Sequence, residues 1–499
     1  MSLNVDSIVF VHGYSVRTLD NYATLPALLS ANDNVKAENI FLSAFVSLDD
    51  EVSCSDLAAA LDTRIRELES LGLNLRRTAV ITHSTGAIIT RRWMLDRAKL
   101  APAGNALPSH FISCAGANHG STLSQLGRSA LAYIFRQVTE GTSVGQRVLE
   151  DLDYGSRYLR ELNREWLVCW NEQTSRLQET FCFSMGGADH SYWKNHLVWQ
   201  THETGSDGTV RISGANLNYR LIEIATPRYA LSVTTMSQPC AHLIIDGPDF
   251  HYSHTTQTEP DSQQMVISAV AGIVNTFENE RGQLERISAS VRGILDGIRS
   301  VNEVPYQALR QAMSVADKAS YYALRDQWAQ QNDAWTSANQ VEANSTIVIS
   351  THDQFGNPVP DSLILLRDGN GNVKGATRSL TPHQPIVNEV DSATISLYVN
   401  YATFHASHPH SVHVEVHSGT PWVSYDAVGD ADLSNDDYHV VNSNEFTYVE
   451  LIVDRSASGT FAVYLSSDPI VTNPAAPGYI GSESYPPFSG TPAAPPKDN

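Results

Sequence analysis

The chain is short of cysteine and of positive charge, and it has no long apolar run. Its 499 residues hold five cysteines, Cys54, Cys114, Cys169, Cys182 and Cys240, and none forms a C-x-x-C pair. That excludes a zinc ribbon or a dithiol redox motif. Cys114 and Cys182 fall inside apolar, strand-like runs and read as buried free thiols. The sparse, odd count suits a reducing compartment, with one disulfide left open. Lysine and arginine number 33 against 54 acidic residues, for a net charge of −21. This balance argues against nucleic acid and anionic membrane surfaces as partners, because both select basic patches. An uncharged or interfacial substrate stays open. No run of 18 apolar residues occurs, so no transmembrane helix is expected. The opening "MSLNVDSIVFVHGY" has no basic segment leading into a long apolar one, so no signal peptide is expected either. The expected location is the cytoplasm, or the exterior by a signal-independent route. Oligomeric state is not legible.

What is present is an alternation. Apolar strand-like runs occur at 7–13, 39–46, 77–83, 110–116, 180–187 and 241–247. Helical stretches separate the early ones. In 56–72, Leu57, Leu61, Ile65 and Leu68 recur at helical spacing with charges between them. Strands alternating with helices predict an α/β domain with a mostly parallel sheet over residues 1–280. Residues 121–178, with 188–200, interrupt the alternation. They hold four of the eight tryptophans, Trp166, Trp170, Trp193 and Trp199, and are expected to cap the strand ends. Residues 281–342 read as a helical hairpin connector. From 343 to 470 the pattern turns to β-rich runs broken by Gly-Asn, Asn-Pro and Asp-Gly-Asn-Gly turns, which predicts an all-β, sandwich-like domain. The Pro/Gly/Ser-rich end, 471–499, reads as an extended tail.

Chemistry concentrates at "VITHSTGA", residues 80–87. A nucleophilic serine needs exposure at a sheet edge, a base, and donors for a developing oxyanion. A strand ending in a small polar knot that opens a helix offers the exposure, and the first amides of that helix are free to face an anion. Ser84 sits on the knot. The pattern is G-x-S-x-G with Thr82 in place of the first glycine. A second segment, "IVFVHGYS" at 8–15, ends an apolar strand in His12-Gly13. Taken alone, each segment is also explained by an ordinary helix cap or strand-ending turn.

Together they resemble the α/β-hydrolase superfamily, and within it bacterial lipases and esterases. "FVHGY" and "THSTG" resemble the superfamily. "SCAGANHGSTLSQLG" (113–127) is similar to the P-x-H-x-G-S segment of lipases, and "LEDLDYGSRYLRELN" (149–163) to their L-x-x-G-S-x-x-L-x-x-L-N helix. "GSDGTVRISGANL" (205–217) resembles their S-D-G-x-V segment, which carries the acid, and "EFTYVELIVDRSASGTFAVYL" (445–465) resembles C-terminal β modules of some lipase-like proteins. The resemblance implies a Ser–Asp–His triad in that chain order. Ser84 is the nucleophile and Asp207 the acid, with Asp189 as the alternative. The base is His254, just before Thr255 and Thr256, with His251 as the alternative. The amides of Tyr14 and Thr85 form the oxyanion hole. His12, His83, His119 and Trp166 are placed around the substrate pocket, the simpler reading of each being structural. The activity implied is carboxyl-ester hydrolysis, on an ester or lipid substrate, with no cofactor and no metal. Phospholipid or polyester hydrolysis, amide hydrolysis, and a non-catalytic binding protein on the same fold are the alternatives. One row, His413-x-Glu415-x-His417, could ligate a metal. The simpler reading is a solvated strand face.

Overall fold

The computed structural model describes residues 5–13, 36–40, 49–121, 145–187, 205–206, 210–226 and 230–245, and, in the C-terminal part, 344–359, 362–368, 386–388, 390–401, 409–416, 424–426, 428–432, 441–456, 463–464 and 479–480. Its N-terminal half is built on strands β1 (Ser7–Val11), β2 (Lys36–Ile40), β3 (Thr78–His83), β4 (His110–Cys114), β5 (Phe181–Gly187) and β8 (Ala241–Ile245). They form one six-stranded sheet in the order β2-β1-β3-β4-β5-β8, with every pairing parallel. β1, β3 and β4 are buried along their whole length, as expected for a sheet covered on both faces. The chain runs outward from β1 to β2, then returns to β3 on the other side of β1. That reversal is a topological switch point, and it opens a crevice at the carboxyl ends of β1 and β3.

Helix α1 (Cys54–Ser70) begins in a reciprocal cap: the Ser53 side chain accepts from the Asp56 amide, and the Asp56 carboxylate accepts from the Ser53 amide at 2.9 Å. Leu57, Leu61, Ile65 and Leu68 form its buried stripe, as their spacing predicts. Helix α2 (Gly86–Lys99) follows β3 directly. Helices α3 (Gln146–Leu152) and α4 (Arg157–Asn171) come from the interrupting segment. Helix α4, from the segment expected to cap the strand ends, packs against α2. Its Glu165 pairs with Arg92 of α2 at 3.1 Å and with Lys99. Of the strand-like run at 39–46, residues 39 and 40 lie in β2, and 41–46 lie outside the described residues.

The C-terminal half contributes β9 (Asn344–Asp353), β10 (Ser362–Asp368), β11 (Ile386–Val387), β12 (Thr394–Asn400), β13 (Pro409–Val416), β14 (Ser424–Asp426), β15 (Val428–Asp432), β16 (Phe446–Ser456), β17 (Val463–Tyr464) and β18 (Tyr479–Ile480). β10, β13 and β15 form an antiparallel three-stranded sheet. A larger mixed sheet runs β11-β12-β9-β16-β6-β7, with β14 also on β16. Its last two strands, β6 (Tyr219–Ala225) and β7 (Ala230–Thr235), come from the N-terminal half. β16 lies parallel between β9 and β6. The two halves therefore share a sheet.

Side chains along this mixed sheet alternate with a period of two. Ile222, Ile224, Ile347, Ile349, Val449 and Leu451 share an apolar core with Val414, Val416 and Ala431 of the small sheet. The intervening Tyr219, Leu221, Val348, Phe446 and Tyr448 join the core of the α/β half. His413, expected on a solvated face, is buried, with Nδ1 3.0 Å from Asp430 Oδ1. All five cysteines are free and buried. Among the described residues, no helix is long and apolar enough to cross a membrane, and no group of three or more His, Cys, Asp or Glu side chains is arranged to hold a metal. The connector 281–342 lies outside the described residues, as does most of the tail, apart from β18 paired with β17.

Candidate active site

Ser84 stands between the last residue of β3 and the start of α2, with φ at +53°. A serine rarely adopts the left-handed region, and such strain persists only where neighbours over-determine it. Here they do. Its amide donates to Cys114 O at 3.3 Å, and its carbonyl accepts from the amides of Ala87 and Ala117, each at 3.1 Å. Neighbouring Ala115, at the end of β4, is also left-handed, with φ at +44°.

Two glycines set how closely the chain approaches. A Cβ on Gly13 would lie 2.7 Å from Ser84 Cβ and 3.3 Å from its Oγ, so the His12-Gly13 end of β1 closes directly on the serine. A Cβ on Gly86 would lie 2.6 Å from Val11 O and 2.8 Å from His12 O. Glycine is therefore required at the second glycine position of the motif, because the helix start abuts β1. The first glycine position is different. Thr82 is an ordinary in-register strand residue, fully buried, paired with Val11 and Ser113, and its hydroxyl donates to Ile112 O at 3.4 Å. A branched residue fits there because the tight turn begins two residues later.

Thr85 is buried and caps α2 in helical geometry. The Ile89 amide donates to Thr85 O at 3.3 Å, and the Thr85 amide lies ahead of the first intrahelical bond, at the positive end of the helix dipole. Tyr14, Asp189, Asp207, His251 and His254 lie outside the described residues. The backbone on either side of Asp207 is described. Ser206 and Arg211 pair as an antiparallel bridge, and the Ile212 amide donates to Gly205 O at 2.9 Å. Arg211, fully buried, lies between the rings of Tyr154 and Tyr398, 4.3 and 4.2 Å from their centroids. Tyr398 Oη also donates to Gly205 O at 3.2 Å. Tyr398 of the C-terminal half thus contacts both Gly205 and Arg211, on either side of Asp207.

The four residues assigned to a pocket are all buried. Burial pulls the His12 imidazole down to about 3, so it is neutral near pH 7. His83 flanks Ser84 in the strand and is 3% exposed. Trp166 packs in the core of α4, stacked on Trp170 and under the Arg91 guanidinium at 4.8 Å. His119 stacks on Phe446 at 4.5 Å, with Nε2 2.9 Å from Asn216 O and Nδ1 3.1 Å from Tyr448 Oη. Its surroundings are the seam between the two halves. Arg91, Asn163, Arg211 and Tyr448 line that seam too. Asn163, Arg211 and Tyr448 fall within the quoted lipase-like segments, and Arg91 shows only as a charged residue within the otherwise apolar stripe of α2.

No family model matches the chain, and no curated protein matches it. Among solved structures, two of phospholipase PlaB from Legionella pneumophila align along nearly the whole length. One, in complex with thio-NAD, covers 95% of this chain and 99% of its own at 22% identity and a TM-score of 0.71. The other covers 94% and 97% at 23% identity and a TM-score of 0.72. A Bacillus licheniformis lipase in its propeptide form covers 80% and 69% at 13% identity and a TM-score of 0.33. With a parallel sheet, a left-handed serine at its switch point and a mixed sheet from the C-terminal half, the chain has an α/β-hydrolase fold, shared along nearly its whole length with the two phospholipase PlaB structures.

Proposed function

We propose that the protein is a serine carboxyl-ester hydrolase whose substrate is a lipid ester. The observation that carries this reading is Ser84: a non-glycine residue held at positive φ at the switch point, with Gly13 of the adjacent strand end against it. In this reading His254, or His251 in its place, takes the Ser84 Oγ proton as Oγ attacks the ester carbonyl carbon. Asp207 holds the imidazole tautomer and stabilises the imidazolium. The amides of Tyr14 and Thr85 receive the negative charge on the carbonyl oxygen. The C–O bond to the alcohol breaks, the alcohol leaves with the proton from the imidazolium, and Ser84 keeps the acyl group. Water, deprotonated by the same histidine, then attacks the acyl-enzyme and releases the acid.

Phospholipids are the favoured lipid esters, because the structures that align along the whole chain are of a phospholipase. The test is hydrolysis of p-nitrophenyl esters of increasing chain length, alongside fatty-acid release from phosphatidylcholine and phosphatidylglycerol vesicles. Ser84→Ala is expected to lower kcat by roughly 10⁴-fold or more. A fluorophosphonate probe is expected to label Ser84. Full turnover by Ser84→Ala would refute the mechanism. Turnover of matched anilides as fast as esters would move the assignment to amide hydrolysis.

A further inference from the structure

Strain at Ser84 requires a brace, and the brace can be followed residue by residue into the C-terminal half. The Ser84 carbonyl accepts from the Ala117 amide at 3.1 Å. Ala117 belongs to the turn after β4, which opens with left-handed Ala115 and closes with Asn118 and His119. The turn is pressed onto α2: a Cβ on Gly116 would lie 2.0 Å from Ser113 Oγ and 2.6 Å from Ala87 Cβ. Three bonds hold its far end. Arg91 Nη1 donates to Asn118 O at 3.0 Å, Asn118 Nδ2 donates to Ala215 O at 2.8 Å, and the His119 amide donates to Gly214 O at 3.1 Å.

The side chains below this turn form one directed chain of hydrogen bonds. Arg91 Nη2 donates to Asn163 Oδ1 at 2.9 Å, and Asn163 Nδ2 donates to Tyr448 Oη at 2.8 Å. Asn216 O can only accept, so His119 Nε2 carries the imidazole proton. Nδ1 is then an acceptor, and the Tyr448 hydroxyl donates to it at 3.1 Å. Arg91, His119 and Asn163 are fully buried and Tyr448 nearly so. At buried positions such as these, each bond fixes the next, and one lost hydroxyl leaves an acceptor and a donor stranded.

We infer that Tyr448, on β16 of the C-terminal half, is a positioning residue for the nucleophile: through His119 and Asn163 it holds the 115–119 turn that keeps Ser84 in its strained, attack-ready conformation. The inference rests on the reading of Ser84 as the nucleophile. It gives the shared sheet a part in the chemistry, although β16 contributes no atom to the reacting centre.

Tyr448→Phe keeps the ring and removes only the hydroxyl. The expected result is a fall of about tenfold in kcat on p-nitrophenyl butyrate with KM unchanged, and a parallel fall in the rate of fluorophosphonate labelling at Ser84. Leu451→Ala, on the same strand but pointing to the opposite face, is the control for general loosening. It is expected to lower thermal stability and leave kcat per folded molecule and labelling rate unchanged. If Tyr448→Phe does not fold, His119→Gln and His119→Ala carry the same comparison. Glutamine keeps a donor and an acceptor, and is expected to recover labelling that alanine loses. Wild-type labelling and kcat in Tyr448→Phe, or equal losses in Tyr448→Phe and Leu451→Ala, would overturn the inference while leaving the mechanism intact. Absence of label on wild-type Ser84 would instead remove the reading beneath it.

Discussion

The two faces of the mixed sheet do different work. The face toward the small sheet carries Ile222, Ile224, Ile347, Ile349, Leu397, Val399, Val449, Leu451 and Val453. The face toward the α/β half carries Thr346, Ser350, Tyr398, Tyr448, Glu223 and Glu450, and nearly every one has a named partner there. Ser213 Oγ lies 2.8 Å from Thr346 Oγ1, Arg160 reaches Ser350, Tyr398 meets Gly205, and Arg164 reaches both Glu223 and Glu450. Apolar contact is non-directional and tolerates exchange of one hydrocarbon for another. A buried polar network fixes one arrangement and tolerates little. The first face therefore supplies stability, and the second sets where the serine turn, Gly205 and Arg211 lie.

The largest expected effect that would sharpen this contrast comes from the apolar face. Leu451 is 1% exposed on β16, and Leu451→Ala is expected to cost about 2–5 kcal/mol in chemical denaturation. Activity per folded molecule should be untouched. Equal loss of turnover and stability would mean that the two faces are not separate in function.

Acid should act next, and it acts mainly on the α/β half and the seam. Burial pulls His12 and His242 down to about 3 and His119 well below its ordinary value. Each is neutral when folded and free to protonate when unfolded. Stability is therefore complete above about pH 6.5 and falls as pH drops toward the folded values, by about 1.4 kcal/mol per pH unit for each histidine. Asp151, raised to about 6 by burial, works the other way between its folded value and the ordinary carboxylate range, as does Glu450, also raised by burial. The net expectation is a stability loss that starts near pH 6.5 and is reduced by replacing His242 with Asn. Denaturation midpoints flat from pH 7 to 5 would contradict it.

The same contrast separates what is legible in the sequence from what is not. Ser84, Gly86 and His12-Gly13 were legible because each turn is defined by residues adjacent in the chain. The α1 stripe was legible because its period is local. β6 and β7 pair locally as a hairpin, but no local pattern announces that "YRLIEIA" also finds a parallel partner in β16, more than two hundred residues later. The lipase-like neighbours of His119 point to the pocket, yet its ring partners, Phe446 and Tyr448, lie on that same distant strand. Alternation alone gives His413 to solvent. Asp430, which covers it, arrives on a strand whose pairing no local pattern announces.

Arg164 tests the polar face where it carries charge but no link to the serine turn. Its guanidinium donates to Glu450 Oε2 at 2.9 Å and also bonds Glu223. The arginine and Glu223 side chains are 35% and 30% exposed, so solvent screens their pairing, whereas Glu450 is only 10% exposed and depends on its partner. Arg164→Met keeps the aliphatic stem and strands that carboxylate. The expected cost is about 1–2 kcal/mol near pH 7, shrinking as pH falls and Glu450 takes up a proton. Glu450→Gln in the same chain should recover most of the loss, because an amide needs no counter-ion. Turnover should change little in both variants, since neither touches the Arg91–Asn163–Tyr448–His119 chain. A fall in kcat as deep as that of Tyr448→Phe would show that the whole face positions the nucleophile, and the special place given to Tyr448 would be lost.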